Sequence, residues 1–387
     1  MNIGNLFQVT GMNESHRELC RLYAAESAGP EEITAYFSGI RLEEEKWDSA
    51  CMVASMCARH GYEGVPPELL PRIRGILRYY RMLNAGRIAG TCRLIRLYND
   101  AGIPVMVIKG ASILTCYEPN HIRHMWDTDI LVPAGEYRRA VEIAISQGFS
   151  GGESPHSVNL KRDRMEDIDV HKIFMKELLS RGPEKFWPEG PEVRRSGAVF
   201  QVPEFNTLFV QILTNSFSNL AEVGNHGAKI KWFMDVDFFI SRPEDLDWER
   251  VISLSKMLGV APHANTVLCL YDRLAPGRFD YASIAPRLSE ERQVARCLAV
   301  LRQCRRANLL FENPPENASI PRLVGIHIRW LWTNNRIKNP DSLLTNLRTF
   351  PSYLRCELRV KSLWQLPGVA LGKIRGRMRE EKETQRG

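Results

Sequence analysis

No apolar run in this 387-residue sequence approaches the ~18 residues that a membrane-crossing helix needs. The opening stretch MNIGNLFQVTGMNESHREL has no basic segment followed by an apolar one, so no secretory leader is expected, and a cytoplasmic location is. Nine scattered cysteines, an odd number with no C-x-x-C pair, exclude a disulfide framework and a thiolate zinc site, and leave buried thiols as the expectation. H-E-x-x-H, G-x-S-x-G and G-x-G-x-x-G are all missing, which removes zinc protease, serine hydrolase and dinucleotide readings. GVALGK, ending at Lys373, is one residue short of a P-loop and carries Ile374 where a hydroxyl must meet magnesium. Internal repeats and low-complexity stretches are also lacking.

What is present is an ordinary globular composition, 44% hydrophobic and 25% charged, long enough for two or three structural units. The net charge of +7 suits an anionic substrate such as a nucleotide. Its arginines and lysines are dispersed and not interleaved with aromatics, so a nucleic-acid partner is not expected.

The texture of the chain changes twice. Residues 1–100 read as a helical region, with leucines and isoleucines at helical spacing and Gly102 as a terminator. Residues 101–200 alternate strand and helix signals. IPVMVIKG reads as a buried strand stopped by Gly110, ASILTCYE as a helical segment, DTDILVP as a second strand and GEYRRAVEIAISQGF as a helix. HSVNLKRD and MEDIDVHKIF then read as two strands joined by a polar turn. Residues 201–387 return to helices, the clearest being DLDWERVISLSKMLGV, with an aspartate at its start. The expected fold is α+β, a mixed-sheet core flanked by helical N- and C-terminal regions.

Chemistry concentrates in the middle region. Asp127 and Asp129 stand two residues apart on a strand, hence on one face. Paired carboxylates repel unless water or a cation lies between them, and two hard oxygen donors suit Mg²⁺. Asp169, between Ile168 and Val170, offers a third carboxylate from a neighbouring strand. Asp167 shares its face and competes for that role. His171, two residues on, points the same way. Gly110, where a strand passes into a helix, leaves room for phosphate oxygens to approach backbone N–H groups. Lys109, Ser112 and Arg123 are the candidate phosphate contacts. A second D-x-D, Asp235 and Asp237 in WFMDVDFFI, lies in a helical context, where residues two apart diverge.

These residues resemble the DNA polymerase β-like nucleotidyltransferase superfamily. More narrowly, the segment is similar to the family of uncharacterised nucleotidyltransferases. The resemblance rests on IKG (Lys109, Gly110), Arg123 four residues before the D-x-D, DTDILV (Asp127, Asp129) and IDVH (Asp169, His171), and it covers roughly residues 75–375. It favours Asp169 over Asp167. It implies a polymerase β-like fold and metal-dependent transfer of an NMP unit, AMP first, from an NTP to an acceptor, with release of pyrophosphate. Two Mg²⁺ ions, with Mn²⁺ as a substitute, would be held by Asp127, Asp129 and Asp169, and Asp169 would accept the acceptor's proton. Lys109, Gly110, Ser112, Arg123 and His171 would attend the nucleotide, expected to be ATP. The acceptor is left open among a small molecule, a natural-product peptide and a protein hydroxyl, in keeping with biosynthesis of natural products or surface polysaccharides. The competing readings are an inactive NTP-binding module and an RNA- or tRNA-directed transferase.

Overall fold

The computed structural model describes residues 9–354, apart from residues 44, 46, 119–120, 155, 164, 181–185, 222–229, 313–319, 339–345, 348–349 and 352–353. GVALGK and the C-terminal end of the family resemblance lie outside the described residues. The chain divides into two compact units. One comprises Gly11–Phe217 and Ala228–Glu290; the other comprises Met1–Thr10, Ser218–Gly227 and Glu291–Gly387.

In the first unit, helices α1 (Glu14–Ala24), α2 (Pro30–Ser38), α3 (Trp47–Arg59) and α4 (Leu70–Asp100) precede the sheet. The strands are β1 (Met106–Val107), β2 (Thr128–Leu131), β3 (Ser150–Glu153), β4 (Ser157–Lys161), β5 (Asp167–His171), β6 (Glu192–Arg195) and β7 (Ala198–Gln201). They form one seven-stranded mixed sheet in the order β3-β4-β5-β2-β1-β7-β6. The pair that matters, β2 and β5, is central and parallel, with Asp129 opposite Asp169 and Leu131 opposite His171. β4 runs antiparallel on the far side of β5, and β1 antiparallel beside β2.

Alternation sorts the two faces. Thr128 and Ile130 on β2, and Ile168 and Val170 on β5, are buried, whereas Asp129 and Asp169 between them are only half-buried. The apolar face packs on Ile88, Cys92, Leu94, Ile95 and Tyr98 of α4 and on Tyr137, Ala140 and Ala144 of helix α5 (Tyr137–Ser146). That burial drives the sheet and helices together and leaves the acidic face outward.

The buried stripe of α4 runs Ile73, Leu77, Tyr80, Asn84, Arg87, Thr91, Leu94 and Tyr98, a steady three-or-four spacing. Asn84 and Arg87 are therefore polar residues at positions where the period calls for apolar ones. Beyond the sheet, helices α6 (Phe205–Ala221), α7 (Lys231–Ile240), α8 (Trp248–Met257), α9 (Ala261–Leu274) and α10 (Tyr281–Leu288) follow. Asp247 caps α8 as its sequence announced, accepting from the N–H groups of Glu249 and Arg250. WFMDVDFFI is indeed helical, within α7.

In the second unit, helices α11 (Glu291–Glu312) and α12 (Ile320–Lys338) pack against each other. Asn308 donates to the carbonyl of Ala221. Among the described cysteines none is paired; Cys116 is half-buried and the rest are buried. No described helix is long and apolar enough to cross a membrane.

Candidate active site

The acidic face of β2 and β5 presents three ligand-capable atoms together. Donor atoms of Asp129, Asp169 and His171 all lie within 4.8 Å of one another. His171 Nε2 stands 2.9 Å from Asp129 Oδ1 and 3.3 Å from Asp169 Oδ2. Direct register brings the carboxylates side by side, and the two-residue repeat of β5 brings His171 up beside them. The sequence trio is thus met in part. Asp127 sits one residue ahead of β2, outside this tight group, yet close enough for its charge to be felt there.

Asp167, the rival for the third position, is engaged elsewhere. Asn159 donates to its Oδ1 at 2.8 Å, and Lys161 meets its Oδ2 at 2.7 Å across the β4–β5 register. Among the described residues Asp169 has only the weak 3.4 Å approach of the Ser157 hydroxyl besides His171. Geometry therefore puts Asp169, and not Asp167, in the cluster.

Lys109 reaches the same group. Its Nζ is 2.5 Å from Asp129 Oδ1 and 3.4 Å from His171 Nε2. Its backbone lies at φ +55°, ψ −143°, a region that residues with a Cβ rarely adopt and that costs of order 1–3 kcal/mol. The strain is held by Gln211, whose Oε1 accepts the Lys109 N–H at 2.9 Å while its Nε2 donates to the Phe174 carbonyl at 2.8 Å. The twist delivers the lysine ammonium to the acids and opens the helical turn at Gly110.

Electrostatics follow from this crowding. Burial pushes Asp127 up, and repulsion from Asp129 adds to it, partly offset by Lys109 and Lys231. Burial would raise Asp129 as well, but Lys109 and the His171 hydrogen bond hold it well below the usual carboxylate range. Asp169 is likewise lowered: burial opposes, and His171 outweighs it. His171 is raised despite burial and Lys109, because both aspartates favour its cation. Burial also opposes the Lys109 charge, but Asp129 lifts its pKa above the ordinary lysine value. His156, whose ring lies 5.6 Å from that of His171, is pushed down by burial to about 3 and is neutral.

The other candidates surround the turn but face inward. Ser112 is fully buried, and its hydroxyl donates to the Val107 carbonyl at 2.8 Å. Arg123 makes a bidentate pair with Asp235, Nε to Oδ1 at 2.7 Å and Nη2 to Oδ2 at 2.8 Å. The Arg123 guanidinium also lies flat on Gly110. A Cβ built at Gly110 would stand 2.1 Å from Arg123 Nη1, so the glycine is required by the arginine that covers it. Gly110→Ala is accordingly expected to displace Arg123 and cost about 1–3 kcal/mol, read as a lowered midpoint in urea. Asp237 is separate, bonded to Arg59 at 3.1 Å and to the Tyr271 hydroxyl at 2.7 Å.

Four residues at or near the site escaped the sequence reading: Gln211, Asn84, Arg87 and Lys231. Asn84 donates to the Arg123 carbonyl at 2.8 Å. For Asn84 and Arg87 a signal existed, their place on the buried stripe of α4; Gln211 and Lys231 carried none.

The donor set of two carboxylates and an imidazole suits a divalent cation, with Asp127 nearby as a further oxygen donor. In this arrangement the Lys109 ammonium is the cation against Asp129, and a divalent ion would compete with it for the same oxygen.

A strained, glycine-bearing strand-to-helix turn set beside carboxylates on paired strands of a mixed sheet is the arrangement expected of a nucleotidyltransferase, and the family match assigns that class. Within that class the chain belongs to the uncharacterised nucleotidyltransferase family, whose model matches residues 50–276, more than half of this chain. Family membership makes it a transferase with a nucleotide substrate. No curated protein matches the chain. Among solved structures it is similar to the antibiotic-resistance factor ANT(2'')-Ia in solution, at 16% identity and a TM-score of 0.34, covering 46% of this chain and 92% of that one. It is also similar to an antigenic nucleotidyltransferase-like protein from Paracoccidioides brasiliensis, at 12% identity and a TM-score of 0.28, covering 47% and 92%. Likenesses this distant say nothing of substrate.

Proposed function

We propose that the protein transfers an NMP unit, AMP first, from an NTP to a hydroxyl acceptor in a divalent-metal-dependent reaction. The observation that carries this reading is the meeting of Asp129, Asp169 and His171 donor atoms within 4.8 Å, beside the Lys109–Gly110 turn. Asp129 and Asp169, with Asp127 in support and His171 once its Nε2 has given up its proton, would hold Mg²⁺ or Mn²⁺, which would supply Lewis-acid stabilisation of the phosphoryl oxygens.

The residues of the chain do the rest. Asp169, ionised at neutral pH, takes the proton of the acceptor hydroxyl. The acceptor oxygen bonds to the α-phosphorus as the bond to the bridging oxygen of pyrophosphate breaks. Pyrophosphate leaves with its charge facing Lys109 and the backbone N–H groups that follow it. Gln211 and Arg123 fix the turn that aims them.

ATP with Mg²⁺ is expected to raise the melting temperature, and EDTA to remove the increase. A screen of labelled NTPs against hydroxyl-bearing acceptors should then show a nucleotide-sized mass gain. Indifference of the melting temperature to every NTP, with Mg²⁺ or Mn²⁺, would overturn the reading.

A further inference from the structure

Arg87 is 8% exposed, yet its Nε and Nη1 are sealed from solvent and have no hydrogen-bond partner among the described residues. Among the described residues no ion pair within 4.0 Å engages it either, whereas Arg93, farther along the same helix, pairs with Glu166 at 2.7 Å. A guanidinium with two nitrogens buried and unbonded is costly and calls for an anion that arrives from outside. The charges in its field are those of Asp127 and Asp167, which are consecutive to Thr128 and paired with Lys161 respectively. Neither carboxylate stands within ion-pair distance of Arg87, and Asp167 is taken by Lys161.

Its place in the sheet tells which substrate it would meet. The Lys109–Gly110 turn follows β1, on one side of β2; Asp167 and Asp169 lie on β5, on the other. Gly86 and Gly90, which flank Arg87 on α4, stand against Met165 and Glu166 just ahead of β5, so this stretch of α4 lies at the Asp167 end of that second side. Asp169, the proton acceptor of the proposed reaction, is on β5 as well.

We infer that Arg87 is the anion-binding residue of the acceptor subsite, and that the acceptor carries a phosphate or carboxylate group near its reacting hydroxyl. The inference rests on the nucleotidyl-transfer reading for the identity of the two sides. Guanidinium suits either anion, because its planar fork offers two parallel donors.

Inorganic phosphate is the probe. Its binding to the full chain is measured by calorimetry at constant ionic strength, alone and with saturating α,β-methylene-ATP and Mg²⁺. The wild type is expected to bind phosphate in both conditions, and Arg87→Gln to lose at least about tenfold in affinity in both, with Arg87→Lys between them. Because no described residue partners the buried Arg87 nitrogens, Arg87→Gln is also expected to melt no lower than the wild type. Displacement of phosphate by the analogue would assign Arg87 to the nucleotide and overturn the inference. Equal affinity in Arg87→Gln, a lowered melting temperature in that variant, or no phosphate binding by the wild type would each do the same. Failure of the analogue itself to bind, with phosphate binding still dependent on Arg87, would count against nucleotide transfer while leaving the anion site in place.

Discussion

Asp129→Asn is expected to reduce nucleotide turnover at least about 10³-fold, equivalent to ~4 kcal/mol of transition-state stabilisation. The substitution keeps the shape of the side chain but removes the charge that Lys109 and His171 both address at Oδ1. It takes a hard anionic donor from the cluster and frees the lysine from its counter-ion. The same change leaves Lys109 beside a neutral amide, which also lowers stability. Asp169→Asn separates the two effects: its carboxylate meets His171 but makes no bond to Lys109, so its fold should hold while turnover falls as far. Steady-state rates with ATP and an acceptor, beside far-ultraviolet dichroism of each variant, test this. Wild-type rates in either folded variant would remove the carboxylates from the chemistry.

The largest stability effect is expected at a residue outside the cluster. Asp235→Ala leaves the Arg123 guanidinium, 6% exposed, without its bidentate partner, and truncating one member of a buried pair costs about 3–5 kcal/mol. At 2–4 °C per kcal/mol for a unit of this size, the melting temperature should fall by roughly 10 °C. The double variant Arg123→Met/Asp235→Leu removes both charges and should recover most of that loss, because the penalty arises from the stranded charge. Its activity should stay low, since Arg123 also covers Gly110 and shapes the turn. A calorimetric scan of both variants decides the matter; equal melting temperatures for single and double variants would mean that the pair is not what holds this region.

Arg123 illustrates where reading a sequence ran short. It was a reasonable phosphate contact from its position four residues before Asp127. Its actual partner is Asp235, 112 residues away on α7, and no local pattern encodes a pair so distant. Ser112 likewise reads as a hydroxyl for phosphate because it follows the turn, but the turn aims it back at Val107. β3, SGGE, and β6, EVRR, lack the apolar alternation that marked the other strands; their hairpin partners β4 and β7 make them strands. By contrast, β2 and β5 were legible because burial on one face imposes a period of two on the chain.

The sequence by itself determined the alternation that sends Asp129 and Asp169 to one face, the glycine that ends the first strand, and the family to which the whole belongs. It did so because secondary structure and its faces are set by neighbours a few residues apart. Only the tertiary structure decided that Asp169 stands beside Asp129 while Asp167 is held by Lys161, that His171 joins the two carboxylates, and that Gln211 secures the strained Lys109. It also decided that Arg123 is paired while Arg87, among the described residues, is not. Those choices depend on strand register and on contacts across a hundred residues, where charge and burial balance in three dimensions and leave no local trace.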